Sequence, residues 1–436
     1  MLIEFSVSNF QSIAEQQTLS MLPAKGSSYL LETGNPYYPN VLRIGGLFGA
    51  NGSGKTSFLN AIQTFQNIVV NSAKYTAGDK IPVTPFKLDE SLRGSPTSFE
   101  IIFKGLVSSD VWRYGITLDG ERVHKEWLYQ RTADTGRERK TFVRNGQTIS
   151  ATKSLGLSKA LLERVTGKNQ LLLSKLEQFS GEDEIPAMVW IKLFLRPVLS
   201  SSNWFQSVTG RKLLTEQHSS QITELLKSIG MNFESIRLKE RSVVENSPEE
   251  TAIMTGDKHI YSHSSGGMAY YLELEFERRD RSGSSQPIYF HEESLGTRAL
   301  FGIAGILVDV IRMGMTIVVD ELNQSFHPEF LRLIVELFRS PEANFDSAQL
   351  IFSAHDTSVM SILERDELWI TEKQPDGATH LYSLAELGTA KAGGPRRRGV
   401  FGKHYLENKY GGLPEIDLIR AVKAMKSLES SDAQEA

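Results

Sequence analysis

The chain has 436 residues and a formal net charge of −4, from 48 Lys plus Arg against 52 Asp plus Glu. Apolar residues make up 40 % and charged residues 23 %, a globular profile without the cation excess of a protein built to coat nucleic acid. Cysteine is absent, which excludes disulfide frameworks, thiolate zinc sites, iron–sulfur clusters and thiol nucleophiles.

Residues 2–13 alternate apolar and polar, with Ile3, Phe5 and Val7 against Glu4, Ser6 and Ser8, which predicts a half-buried strand. Residues 41–48 read as a more fully buried strand. A glycine-rich turn follows, and then helical apolar spacing over 56–70 through Phe58, Leu59, Ile62, Phe65 and Val69. From about 97 to 149 the period returns to two, with hairpin turns expected at Asp119-Gly120 and Asn145-Gly146. Helices are expected over 155–165, 170–179, 186–199 and 216–229, and strands again over 231–290. The last third alternates helix and strand. Helices at 294–313, 328–339 and 357–364 precede strands at 316–319, 349–352 and 367–371 respectively, the rhythm of a parallel sheet. The expected fold is α/β: a mixed or parallel sheet core, an antiparallel β subdomain and a helical insertion. The expected divisions are an N-terminal lobe over 1–150, the insertion over 151–230, a C-terminal lobe over 231–390, and a basic loop and helix over 391–436. The apolar stretch 299–308 is about half of what a membrane span needs. The opening Met1-Leu2-Ile3-Glu4-Phe5 has no basic or apolar signal region. A cytoplasmic protein with no membrane contact is expected.

Two motifs carry the chemistry. Gly49-Ala50-Asn51-Gly52-Ser53-Gly54-Lys55-Thr56 fits G-x-x-x-x-G-K-[ST] in full. Its glycines let backbone amides curl round phosphate oxygens, and the helix that begins there turns its positive end to the same anion. Gly49, Asn51, Gly52, Gly54, Lys55, Thr56 and Ser57 are the expected nucleotide ligands, with Lys55 on the β and γ phosphates and the Thr56 hydroxyl on Mg²⁺. In Thr316-Ile317-Val318-Val319-Asp320-Glu321 a buried strand ends in two carboxylates, at the sheet edge where α/β folds bind ligands. Asp320 suits Mg²⁺. Glu321 suits a general base that activates water. No Asn-Lys-x-Asp guanine motif is present, which agrees with ATP.

The phosphate loop resembles that of the ABC-type ATPases of the SMC, Rad50 and RecF kind. In that class a Ser-x-Gly turn opens a helix ahead of the acidic strand, as Glu293-Ser294-Leu295-Gly296-Thr297-Arg298 does here. The resemblance implies that Ser294 and Gly296 grip the γ-phosphate of ATP held by a second subunit. It also implies that His355, at the end of Gln349-Leu350-Ile351-Phe352-Ser353-Ala354, is the switch histidine, and that residues 323–327 form the D-loop. Lys55 and Ser294 stand farther apart than in transporter subunits, and the coiled-coil arms of SMC proteins are missing. The narrower pattern resembles a prokaryotic stand-alone family of antiphage defence ATPases that includes RloA and the ATPases of PARIS, Septu and some retron systems. It is carried by the N-terminal strand, Pro85-Phe86-Lys87-Leu88-Asp89, the Glu-Ser-x-Gly-Thr-Arg turn, residues 320–328, and Tyr405-Leu406 with Tyr410-Gly411-Gly412-Leu413-Pro414. The resemblance implies a slow ATPase that closes as a homodimer or higher homo-oligomer on ATP and regulates a separately encoded effector, a nuclease being the expected kind. The alternative is a RecF-like repair ATPase with DNA across the dimer.

The signature turn has one glycine where LSGGQ has two, and His327 stands where transporter D-loops carry Asp. No Q-loop glutamine is assigned; Gln63 reads as helix surface. His259 and His263, four apart, read as a loop entering a strand and not as metal ligands. Arg396-Arg397-Arg398 reads chiefly as a solvated loop, with phosphate or partner-protein contact as the competing use, and the cations Lys153, Lys159, Arg164, Lys168 and Lys175 read chiefly as solvated surface, with nucleic-acid contact as the competing use. No nuclease constellation is found, so an effector has to do any cutting.

Overall fold

The computed structural model describes residues 1–423 apart from 153–156, 180–184, 200–201, 256–258, 323–326, 389–394, 397, 415–416 and 421. Two large sheets organise it. The first is antiparallel and seven-stranded. It runs Thr148–Ala151, Glu138–Asn145, Val123–Arg131, Val111–Leu118, Thr97–Lys104, Leu2–Ser8 and Gln17–Ser20 in spatial order. Its alternation turns Phe5, Phe99, Ile101 and Tyr114 onto helix Lys55–Asn71, where Phe5 meets Phe58 and Phe65 edge-on at 5.8 Å each.

The second sheet is six-stranded, in the order Leu195–Val198, Thr316–Val319, Gln349–Ser353, Ile44–Phe48, Leu368–Lys373 and Thr379–Ser383. Its first five strands are parallel and the last pairs antiparallel. Both faces are covered, so the central strands carry apolar side chains on both sides. Leu47, Val318, Ile351 and Trp369 face the core shared with the helix Lys55–Asn71. Phe48, Ile317, Val319, Leu350, Phe352 and Ile370 face a second core built with helices Leu295–Met313 and Pro328–Arg339. A smaller sheet of Ser235–Val244, His259–Ser265, Met268–Arg279 and Ser285–Tyr289 packs on helices Glu216–Ser228 and Leu295–Met313. The architecture is thus a mixed α/β fold with a largely parallel core and an antiparallel sheet.

Several expected elements differ. The helix expected over 186–199 stops early: Pro186–Val189 is helical, Trp190–Phe194 a π turn, and Leu195–Val198 a strand on the edge of the parallel sheet. The span expected as a helical insertion therefore contributes a core strand. An edge is where a strand tolerates Pro197, which has no amide to give. The strand expected over 41–48 is two. Asn40–Leu42 pairs with Leu30–Glu32, and Ile44–Phe48 enters the central sheet. Helices Ser202–Lys212 and Pro248–Thr255 and strand Thr379–Ser383 were not anticipated. Among the described residues no helix is long and apolar enough to cross a membrane.

Candidate active site

Three segments far apart in sequence meet at the C-terminal edge of the parallel sheet. The first is the loop between strand Ile44–Phe48 and helix Lys55–Asn71. Gly54 caps that helix at φ 111° with no side-chain hydrogen bond, which leaves first-turn amides open to an anion. A Cβ there would lie 2.0 Å from Thr379 Oγ1, so a larger residue would displace the loop. Ser53 ties the loop down. Its hydroxyl lies 2.6 Å from Thr371 Oγ1, and its carbonyl accepts from Thr379 Oγ1 at 3.0 Å. Lys55, 4 % exposed, donates to the carbonyls of Gly49 at 2.8 Å and Ala50 at 3.0 Å. Burial pushes its ammonium down to about 8, with Asp320 and Glu321 pulling it back up.

The second segment follows strand Thr316–Val319. Glu321 takes a left-handed φ of 50°, a strained conformation for a non-glycine residue. Ser353 holds it there: its hydroxyl accepts the Glu321 amide at 2.7 Å and donates to Asp320 Oδ1, and its carbonyl accepts the Leu322 amide at 3.0 Å. The third segment ends strand Gln349–Ser353. The Ala354 amide bonds the Leu47 carbonyl at 3.1 Å, which sets His355 beside the phosphate loop. His355 Nε2 lies 3.9 Å from Glu321 Oε1. Burial and the Lys55 charge lower its pKa, against opposing contributions from Glu321 and Asp320. The neutral ring is therefore favoured at neutral pH.

The three segments enclose a cleft of about 350 Å³ in which Asn51, Gly52, Gly54, Lys55, Thr56 and Ser57 face Glu321 and His355. Gly49 lies behind them through its Lys55 contact, and Asp320 is half-buried beneath. The cleft also includes Ser12, which sequence reasoning missed. Ser12 follows Asn9 and Gln11, both at positive φ, and its hydroxyl lies 2.8 Å from Thr379 Oγ1. Thr371, Thr379 and Ser353 were missed as well. A hydroxyl at a strand end was an available signal for Ser353 and Thr379; Thr371 lies inside its strand and Ser12 in a loop, where no local signal marks them.

Ser294 and Gly296 do not line this cleft. Ser294 caps the 19-residue helix Leu295–Met313, accepting from the Thr297 amide at 3.1 Å, and Leu295 beside it is 71 % exposed. Most of the expected D-loop lies outside the described residues. His327 is exposed and caps helix Pro328–Arg339 through Nδ1, which accepts from the Glu329 amide at 3.3 Å. His263 stacks on Tyr270 at 4.4 Å, and no group of three metal-ligating side chains occurs among the described residues. Arg398 is no idle surface cation: it pairs with Glu364 at 3.0 Å and lies over Tyr29. Arg397 and Lys153 lie outside the described residues.

The cleft offers amides and an ammonium for phosphates, a hydroxyl and a carboxylate for a hard cation, and a carboxylate–imidazole pair for a water. Oxygen donors of this kind, few in number, suit Mg²⁺, which takes its other ligands from phosphates and water.

Comparison with known proteins adds a family. The model described as "AAA domain, putative AbiEii toxin, Type IV TA system" matches residues 45–361. No curated protein matches. Solved structures that resemble the chain include the Smc head bound to the C-winged helix domain of ScpA, at 15 % identity over 90 % of this chain and 98 % of that one, TM-score 0.42. The Smc head with an extended coiled coil bound to the C-terminal domain of ScpA, from Pyrococcus furiosus, gives 14 %, 90 %, 97 % and 0.41. The Smc head with a coiled coil and joint from Pyrococcus yayanosii gives 11 %, 88 %, 97 % and 0.39.

Proposed function

The chain belongs to this AAA family, whose model spans most of its length, and from that premise we propose that it is an ABC-type ATPase that binds Mg²⁺-ATP between two copies of itself. The observation that carries the reading is the meeting of Lys55, Thr56, Glu321 and His355 in one cleft. Amides at the start of helix Lys55–Asn71 take phosphate oxygens, and Lys55 exchanges its two carbonyl acceptors for the β and γ phosphates. Thr56 and Asp320 would hold the Mg²⁺, which when bound draws charge from the phosphates. Glu321 takes a proton from the attacking water, and the neutral His355 ring orients that water or the γ-phosphate. Ser294 and Gly296, which do not line the cleft of their own copy, would complete the cleft of the second copy. ATP then favours the closed dimer because only that state joins the two halves.

In the cell we assign this closure a regulatory role in antiphage defence, holding or releasing a separately encoded effector. The toxin–antitoxin wording of the family description supports that role, and the lack of any nuclease constellation in the sequence assigns the cutting to the effector. The test is Glu321→Gln, which should bind ATP, accumulate as a dimer or larger assembly by mass photometry, and lose phosphate release by at least about a hundredfold. Wild-type turnover in that variant would remove Glu321 as the base.

A further inference from the structure

The phosphate loop has an anchor that neither of the two motifs predicts. It is irregular backbone, so each of its amides needs a partner outside regular structure. The Ala50 amide finds one in a distant segment: it donates to the Gly412 carbonyl at 2.8 Å. That same carbonyl accepts the Tyr405 hydroxyl at 2.8 Å. The Ala50 carbonyl, on the next peptide, accepts Lys55 Nζ at 3.0 Å. A chain of contacts thus runs from Tyr405 through Gly412 and Ala50 to the phosphate-binding lysine.

The segment is shaped for this contact. Helix Phe401–Leu406 leads into a turn in which Gly411 and Gly412 each sit at φ 75°. A Cβ on Gly412 would lie 2.6 Å from Ile370 Cγ2, inside the parallel sheet. The Gly412 amide donates to Glu372 Oε1 at 3.3 Å, and the Tyr382 hydroxyl donates to the Tyr410 carbonyl at 2.5 Å. Tyr405 is buried, and burial pushes its hydroxyl up to about 12, so it remains a donor at any neutral pH. The helix reaches the other half of the site too. Gly402 packs so closely on the Thr357 carbonyl, two residues past His355, that a Cβ would lie 2.3 Å from it.

We propose that Tyr405 and Gly412 are positioning residues for the phosphate loop, so that docking of the 401–412 segment sets the affinity of the cleft for nucleotide. The inference rests on the nucleotide reading of the cleft. It goes beyond that reading by placing a control point at a segment that touches no phosphate. Anything that lifts this segment frees the Ala50 peptide on which Lys55 rests and removes order that nucleotide binding would otherwise find in place.

The experiment titrates a fluorescent ADP analogue with Mg²⁺ into the full-length protein and its variants, with melting temperature and steady-state ATPase measured alongside. Tyr405→Phe removes one hydrogen bond and keeps the ring; it should raise Kd and KM for ATP about three- to tenfold and change kcat less than about twofold. Gly412→Ala should raise Kd at least as much. The control is Tyr114→Phe, which removes a buried hydrogen bond to Glu126 in the seven-stranded sheet, where the ring meets Phe65 in the body of the helix and not its phosphate-loop end. It should lower the melting temperature and leave Kd within about twofold. Wild-type affinity in both Tyr405→Phe and Gly412→Ala overturns the inference, as does an equal loss of affinity in Tyr114→Phe. A wild-type protein with no saturable binding, indistinguishable from Lys55→Ala, instead overturns the nucleotide reading and the inference with it.

Discussion

Nucleotide binding should take up a proton, and Lys55 is the group that takes it. In the cleft its ammonium is buried and titrates at about 8, well below the roughly 10.4 of an exposed lysine. At pH 8.5 about three quarters of the molecules hold it neutral. Phosphate oxygens restore the charged form, so binding at pH 8.5 should absorb about 0.75 proton per site, falling to about 0.1 at pH 7. Protonating the lysine first costs about 0.8 kcal/mol at pH 8.5, a loss of about fourfold in affinity relative to pH 7. The sign for stability is opposite. The unfolded chain binds more protons than the folded one between about pH 8 and 10, so this group adds stability as pH rises through that window. The assay is calorimetric titration of Mg²⁺-ADP in buffers of different ionisation enthalpy at pH 7 and 8.5, where the nucleotide phosphates no longer take part at the upper value. Lys55→Arg keeps its charge at both pH values, so whatever binding it retains should carry no uptake. Uptake below about 0.2 proton at pH 8.5, or undiminished uptake in Lys55→Arg, would refute the assignment.

Two further predictions separate catalysis from stability. Ser353→Ala removes the hydroxyl that accepts the Glu321 amide and donates to Asp320. Turnover should drop about 10- to 100-fold with ADP affinity nearly unchanged, measured by phosphate release and by the same titration; an unaltered kcat would show that the strained Glu321 needs no such support. Arg144→Met leaves the Glu126 carboxylate uncompensated where both side chains are fully buried and 3.7 Å apart. Denaturant unfolding should then lose about 3–5 kcal/mol, and a loss below about 1 kcal/mol would mean that the three donors left to Glu126, the Tyr114 hydroxyl and the Leu172 and Leu173 amides, hold the carboxylate without the cation.

What was legible in the sequence is what is local. The phosphate loop announces itself because its requirements are met within eight residues: glycines for the turn, a lysine, a hydroxyl and a helix start. The parallel strands were legible because both their faces are buried, which leaves unbroken apolar runs at 317–319 and 350–352. Leu195-Arg196-Pro197-Val198 was misread for the converse reason. It follows a helix, carries one cation and a proline, and forms a strand only because the edge beside Thr316–Val319 supplies a ladder that no local pattern encodes. The partners that fix the loop belong to the same class. Thr371, Thr379 and Gly412 reach it from strands and turns more than 300 residues away, Ser12 supports Thr379, and each looks ordinary in its own neighbourhood. Ser294 presents the opposite case. Its motif reads clearly, yet among the described residues its hydroxyl bonds only Thr297, as a helix cap, beside a Leu295 that is 71 % exposed. A motif stronger than its local work requires is what the proposed dimer would produce, since the contact that selects Ser294 then lies across the interface, in the other copy's cleft.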